Sequence, residues 1–212
     1  MRAASSSADE RPGLTRVGVR FLLTLVGVMV FWVVFLEPGY DRFIANVGVL
    51  ALRGIESPPM TQSVRMEGVA AVASHTEAYA DVPAQRLELR THHNNAPLLI
   101  ALILATPGLA HTRRERLLVV GILLLATTHV LHFMLEVQWH YALANVGPYR
   151  VTDLRYLHRG FWQSLDNRAQ VMKLLVTHLR TFHVHVGRLL MPILLWMILC
   201  RDTLTRSLTW RR

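Results

Sequence analysis

The sequence predicts an all-α membrane protein with four transmembrane helices, a small external β-hairpin and an external helical segment. Three observations lead there. Apolar residues make up 52% of the 212-residue chain, and they are concentrated in runs rather than spread evenly. Polar stretches with strand or helix periodicity separate those runs. The arginines cluster at run ends, and a cytoplasmic excess of basic residues is the mark of a membrane protein's inner loops.

Residues 1–16, MRAASSSADERPGLTR, are small and polar and read as a disordered cytoplasmic N-terminus. The first span is assigned to 17–37 around FLLTLVGVMVFWVVFL, Phe21–Leu36, with Arg20 snorkelling to the interface. Its apolar part is longer than a signal-peptide core, and LEPGYDR offers no small-residue cleavage site, so it reads as an uncleaved anchor.

Residues 38–95 form an external α+β segment. Phe43, Val47 and Leu50 recur at helical spacing and predict an amphipathic helix lying on the outer membrane surface, ended by Pro58 and Pro59, with a loose continuation of the first span as the alternative. SVRMEGV, Ser63–Val69, and RLELR, Arg86–Arg90, alternate with period two and are expected to pair as a two-stranded ribbon. Such a ribbon is marginal alone, so its apolar face needs a cover.

THHNN leads into the second span, 96–110. Asn95 or Asn94 caps it, Pro97 fits its first turn, and Pro107-Gly108 stops it. This run is short, and a re-entrant segment is the alternative. The basic turn 111–116 follows, then the third span, 117–137, with Trp139 and Tyr141 as interfacial anchors. Residues 138–182 form the external helical segment, with a turn at Val146–Arg150 and helical periodicity over Asp153–Arg180. The last span covers 183–200, kinked at Pro192, and 201–212 is a cytoplasmic tail. Counting four spans places the basic clusters before the first, between the second and third, and after the last on one side, with both termini inside.

The formal net charge of +9 excludes nothing by itself. Its placement at span ends points to membrane lipid rather than nucleic acid. A single cysteine, Cys200, excludes an internal disulfide framework and a thiol-based metal site.

Eleven histidines are available for chemistry. His129 and His132 share one face in the outer half of the third span, while His183 and His185 enter the last. Imidazoles from two helices are a ligand set for b-type haem or another metal. The competing reading, which we favour, is hydrogen bonding between helices with no cofactor. Arg188 and Glu136 are candidates for an intramembrane ion pair, and the competing reading, which we favour, is that both sit at the interface and snorkel. No GxSxG, HExxH or glycine-rich phosphate loop is present.

The layout also resembles a known group. An N-terminal span, the strand pair SVRMEG and RLELRT, a polar junction, then NNAPLLIALILATPG, a basic turn and a second hairpin helix are similar to the accessory membrane proteins associated with exosortases. The resemblance covers residues 15–135. It implies a partner role beside a membrane protein-sorting enzyme, and transfers no functional residues. The expectation is therefore a non-enzymatic accessory or assembly subunit of an inner-membrane complex, contacting lipid and another membrane protein. A haem or metal redox protein and an enzyme acting on lipid-linked substrates are the alternatives.

Overall fold

A computed structural model describes residues 14–67, 70–89, 95–152, 167–203 and 205. His92, His93, Asn94 and His158, together with the first half of the expected helix over Asp153–Arg180, lie outside the described residues.

Helix α1, Leu14–Phe31, passes through a π-turn, Trp32–Leu36, into α2, Glu37–Ile55. The expected surface helix is thus a straight continuation of the first span. Pro38 would normally break such a helix, because its ring clashes with the carbonyl four residues back. The π-turn directly before it widens the backbone there, and Glu37 N–H reaches Trp32 O. The joined helix therefore carries its apolar pattern past the proline.

After α2 come β1, Thr61–Glu67, β2, Ala70–His75, and β3, Gln85–Glu88. They form one antiparallel sheet in the order β1-β2-β3. The expected direct pairing of the first and last strands is corrected: AAVASH, Ala70–His75, forms a third strand that lies between them. Val64 is opposite Ala73, and Leu87 opposite Ala71. The small side chains of Ala70, Ala71 and Ala73 are fully buried, which lets the helices approach the sheet closely.

Helix α3, Ala96–Ala105, has only ten residues. At about 1.5 Å per residue it covers roughly half of a ~30 Å hydrocarbon core. Helix α4, His111–Ala144, runs for 34 residues and ends on Asn145 in the left-handed conformation. It therefore continues beyond residue 137, the expected outer end of the third span. Gly147–Tyr149 makes the expected turn. Helix α5, Arg168–Phe182, joins α6, Arg188–Leu199, through a second π-turn, His183–Gly187.

Three helical stretches are long and apolar enough to cross a membrane: Val17–Ile55, His111–Ala144 and Arg168–Leu199. Large apolar side chains such as Leu23, Phe35, Leu123 and Ile198 face outward, whereas His129, His132 and Glu136 are buried. Apolar outside and polar inside is the arrangement that lipid favours and water penalises.

The interior has two centres. The first joins Trp32, Leu99, Ile103, Leu125 and Leu195 between α1, α3, α4 and α6. The second joins Ile44, Leu52, Phe133, Tyr141, Leu87 and Leu89, so α2 and α4 cover the apolar face of the sheet. The cover that the strands needed is supplied by the chain's own long helices. Gly48 on α2 makes this possible, since a Cβ there would overlap the Phe133 ring.

Candidate functional site: a polar seam and an outer cleft

The polar interior begins at Asn95. Its side chain makes no cap bond to its own helix. Instead, Nδ2 donates to the Arg188 carbonyl at 3.1 Å. That leaves Oδ1 facing His129 Nε2 at 2.8 Å. An amide oxygen only accepts, so Nε2 carries the imidazole proton and Nδ1 is left as acceptor. The Tyr40 hydroxyl, 2.7 Å from Nδ1, therefore donates to it. One directional chain, Tyr40 to His129 to Asn95 to Arg188, links α2, α4, the start of α3 and α6.

A second group lies one turn further out. His132 stacks on His183, with ring centroids 4.5 Å apart and planes at 20°. His132 Nε2 is 3.5 Å from Glu136 Oε1. The same oxygen accepts from Arg180 Nε at 2.9 Å. The Arg180 guanidinium also lies 3.8 Å over the Trp139 ring, a cation–π contact that fixes its plane. The Arg188–Glu136 pair expected from sequence is thus replaced: Arg180, two turns earlier on the same continuous helix, holds the carboxylate. Arg188 contributes its backbone carbonyl. His185 is exposed and its Nδ1 donates to Thr181 O within its own helix.

Of the four histidines singled out from sequence, the fold brings together His129, His132 and His183, and leaves His185 apart. The three do not fit a bis-imidazole haem site. His132 and His183 lie face to face with no space for an iron between them, and both nitrogens of His129 are engaged. The adjoining cleft holds about 230 Å³, below the roughly 300–1,000 Å³ that accommodate drug-sized ligands. Among the described residues, no three His, Cys, Asp or Glu side chains converge as a metal ligand set.

That cleft is bounded by Arg86 and Leu87 of β3, by His132, Glu136, Trp139 and His140 of α4, and by Arg180 of α5. Its floor is the polar group just described, and its walls include Leu89 and Phe133.

The end of the protein that carries the sheet is organised by a third group around Glu56. One carboxylate oxygen accepts from the Met60 and Thr61 backbone at 2.9 and 2.7 Å. The other accepts from the Thr61 hydroxyl at 2.9 Å and from Gln138 Nε2 at 2.8 Å. Tyr149 donates to Gln138 Oε1 at 2.7 Å. Burial, and then the nearby Glu56 charge, pushes the Tyr149 hydroxyl up to about 12. Four donors on one buried carboxylate make a structural anchor, with no lone pair directed at an open space. Tyr141 extends the group, at 3.0 Å from Thr61 Oγ1 and 2.9 Å from His75 Nδ1.

Sequence reasoning missed Tyr40, Glu56, Arg86 and Arg180, and gave Asn95 a capping role. For Arg180, the signal was available: a charged residue three positions before His183, at the end of the helical periodicity read over Asp153–Arg180. For Glu56 there was none, since its donors are separated from it by a proline pair and by a whole helix.

No family model matches the chain, and no curated protein or solved structure does either.

Proposed function

We propose that the chain is a non-catalytic accessory subunit of a membrane complex, set in the inner membrane of a bacterium with both termini in the cytoplasm. The carrying observation is the free side of the sheet. Among the described residues, β1 pairs only with β2. Beyond Gln62, whose carbonyl accepts from Arg53, its outer edge has no described backbone partner. Exposed strand edges are templates for another chain, and addition of a partner strand is a recurring mode of recognition. The buried polar groups support the non-catalytic part: His129, Glu56 and Glu136 are each committed to holding elements together. The exosortase-associated resemblance supplies the class of partner, a membrane protein-sorting enzyme.

Four passes are supported by the path of the chain. Leu89 belongs to the outer centre, while His111 begins α4 at the opposite end. Arg113 at that end pairs with Asp202 at 2.9 Å, so the basic turn and the end of the last helix lie side by side. The segment between Leu89 and His111 then crosses the bilayer with helix over only part of its length.

A photocrosslinking side chain at Arg65, an exposed β1 position, tests the docking reading in native membranes. A discrete adduct with one membrane protein is expected, absent when the crosslinker replaces Leu23 on the lipid-facing side of α1. If Arg65 yields only the uncrosslinked chain, the accessory role loses its basis.

A further inference from the structure

The geometry points to the outer cleft as a binding site for the anionic headgroup of a phospholipid. The argument starts from depth. Glu136 lies 20 residues beyond Arg116 on α4, about 30 Å along a helix of ~1.5 Å rise, which is the thickness of the hydrocarbon core. With the basic turn at the inner face, Glu136, Trp139 and His140 stand at the outer headgroup level. Trp139 is of the residue type enriched there.

Charge comes next. Among the described lining residues there are two arginines, Arg86 and Arg180, and one carboxylate, Glu136, so the cleft carries a net positive charge. Arg180 is held over the Trp139 ring and by an acceptor oxygen at position 136 that glutamine would also supply, and such preorganisation lowers the cost of binding. Arg86 is exposed at the rim of the cleft. His140, kept toward its neutral form by burial and then by the Arg180 charge, adds one N–H donor suited to a phosphate oxygen.

Size and lining select the source of the anion. About 230 Å³ takes a headgroup and not a whole lipid. Leu87, Leu89 and Phe133 line the rest, offering apolar surface to the glycerol and the first methylenes, while the acyl chains remain in the bilayer against the exposed apolar helices. Basic pockets between transmembrane helices bind anionic headgroups on the cytoplasmic side of membranes, and this cleft presents the same chemistry at the opposite face. An acidic peptide would meet the same arginines but would leave the apolar wall and the membrane depth without a purpose. The inference does not depend on a protein partner, so it can fail or hold separately from the docking role of β1.

Native mass spectrometry of the full chain, released from non-ionic detergent, tests it with dioleoyl phosphatidylglycerol, dioleoyl phosphatidylcholine and inorganic phosphate as probes. One retained phosphatidylglycerol per chain is expected, with phosphatidylcholine lost. Arg86→Gln removes one positive charge and should weaken retention about fivefold, at roughly 1 kcal/mol per surface charge. Arg86→Lys should keep most of it. Glu136→Gln removes the competing carboxylate and should strengthen retention, a change of sign that general loss of structure would not produce. Circular dichroism checks that each variant is folded. Equal retention of both lipids, or retention unaffected by Arg86→Gln and Glu136→Gln, overturns the proposal. So does binding of inorganic phosphate at the cleft when phosphatidylglycerol is not retained.

Discussion

The side-chain amide of Asn95 donates to the carbonyl of Arg188, the oxygen that Pro192 leaves without its helical partner. Residue 192 sits four positions beyond 188, where a backbone N–H would normally close the turn, and proline has none. In a bilayer no water is present to fill that vacancy, so a neighbouring element must. Asn95 does so from the start of α3 and uses its remaining oxygen to hold His129. A proline in one helix thereby explains an asparagine before another.

Replacing Asn95 by alanine should lower stability in detergent by about 1–3 kcal/mol, because it strands both the Arg188 carbonyl and the His129 N–H. Pro192→Ala restores a backbone N–H to the carbonyl. The loss from Asn95→Ala should therefore be smaller in the Pro192→Ala background. A double-mutant cycle by thermal or denaturant unfolding measures the coupling. Strict additivity would show that the two residues do not act on the same oxygen.

Two glycines on α2 make a matched pair. Gly48→Ala drives a methyl into the Phe133 ring and should cost about 1–3 kcal/mol by overpacking. Gly54 has no neighbour within 4 Å of an added Cβ, so Gly54→Ala should be neutral or stabilising by up to about 1 kcal/mol. Unfolding midpoints of the two variants decide it. Equal effects would mean that α2 and α4 are not in close contact at Gly48.

How much of this could be read beforehand depended on the range of the interaction. The apolar runs, the Gly147–Tyr149 turn and the end of α3 at Pro107-Gly108 are local, and the sequence carries them directly. The continuity of α1 with α2 was hidden because Pro38 ordinarily ends a helix, and the π-turn that tolerates it has no composition signal. The middle strand was hidden because AAVASH lacks the polar–apolar alternation of a half-exposed strand; three of its alanines are buried. At the site, helical spacing placed His129 and His132 on one face correctly. What they touch was set by rotation and offset between helices, which is why Arg180 rather than Arg188 meets Glu136, and why Asn95 bonds across the bundle instead of capping.

Reporter fusions check the proposed path through the membrane. A reporter at His111 and one after Asp202 should both be cytoplasmic, as the Arg113–Asp202 contact requires of neighbouring ends. One inserted at Asp81, beyond the turn Glu77–Tyr79, should be on the opposite side. Opposite signals from His111 and Asp202 would be incompatible with the last two membrane helices packing as they do.

The outer end offers a titration with a defined sign. Tyr149 ionises near 12 in the folded protein and near the usual value of about 10 when unfolded. Below pH 10 the hydroxyl is protonated in both states, and its contribution to stability is fully present. As pH rises from 10 to 12 the unfolded chain loses the proton first, so stability falls by up to about 1.4 kcal/mol per pH unit from this group. Tyr149→Phe lacks that slope and gives up instead the bond to Gln138, worth about 1 kcal/mol at every pH below 10. The wild-type advantage over Tyr149→Phe should therefore shrink across pH 10–12. Denaturant unfolding of both proteins between pH 8 and 12 reads the difference directly, and curves that stay parallel through that window would show that Tyr149 is not held in its protonated form by burial beside Glu56.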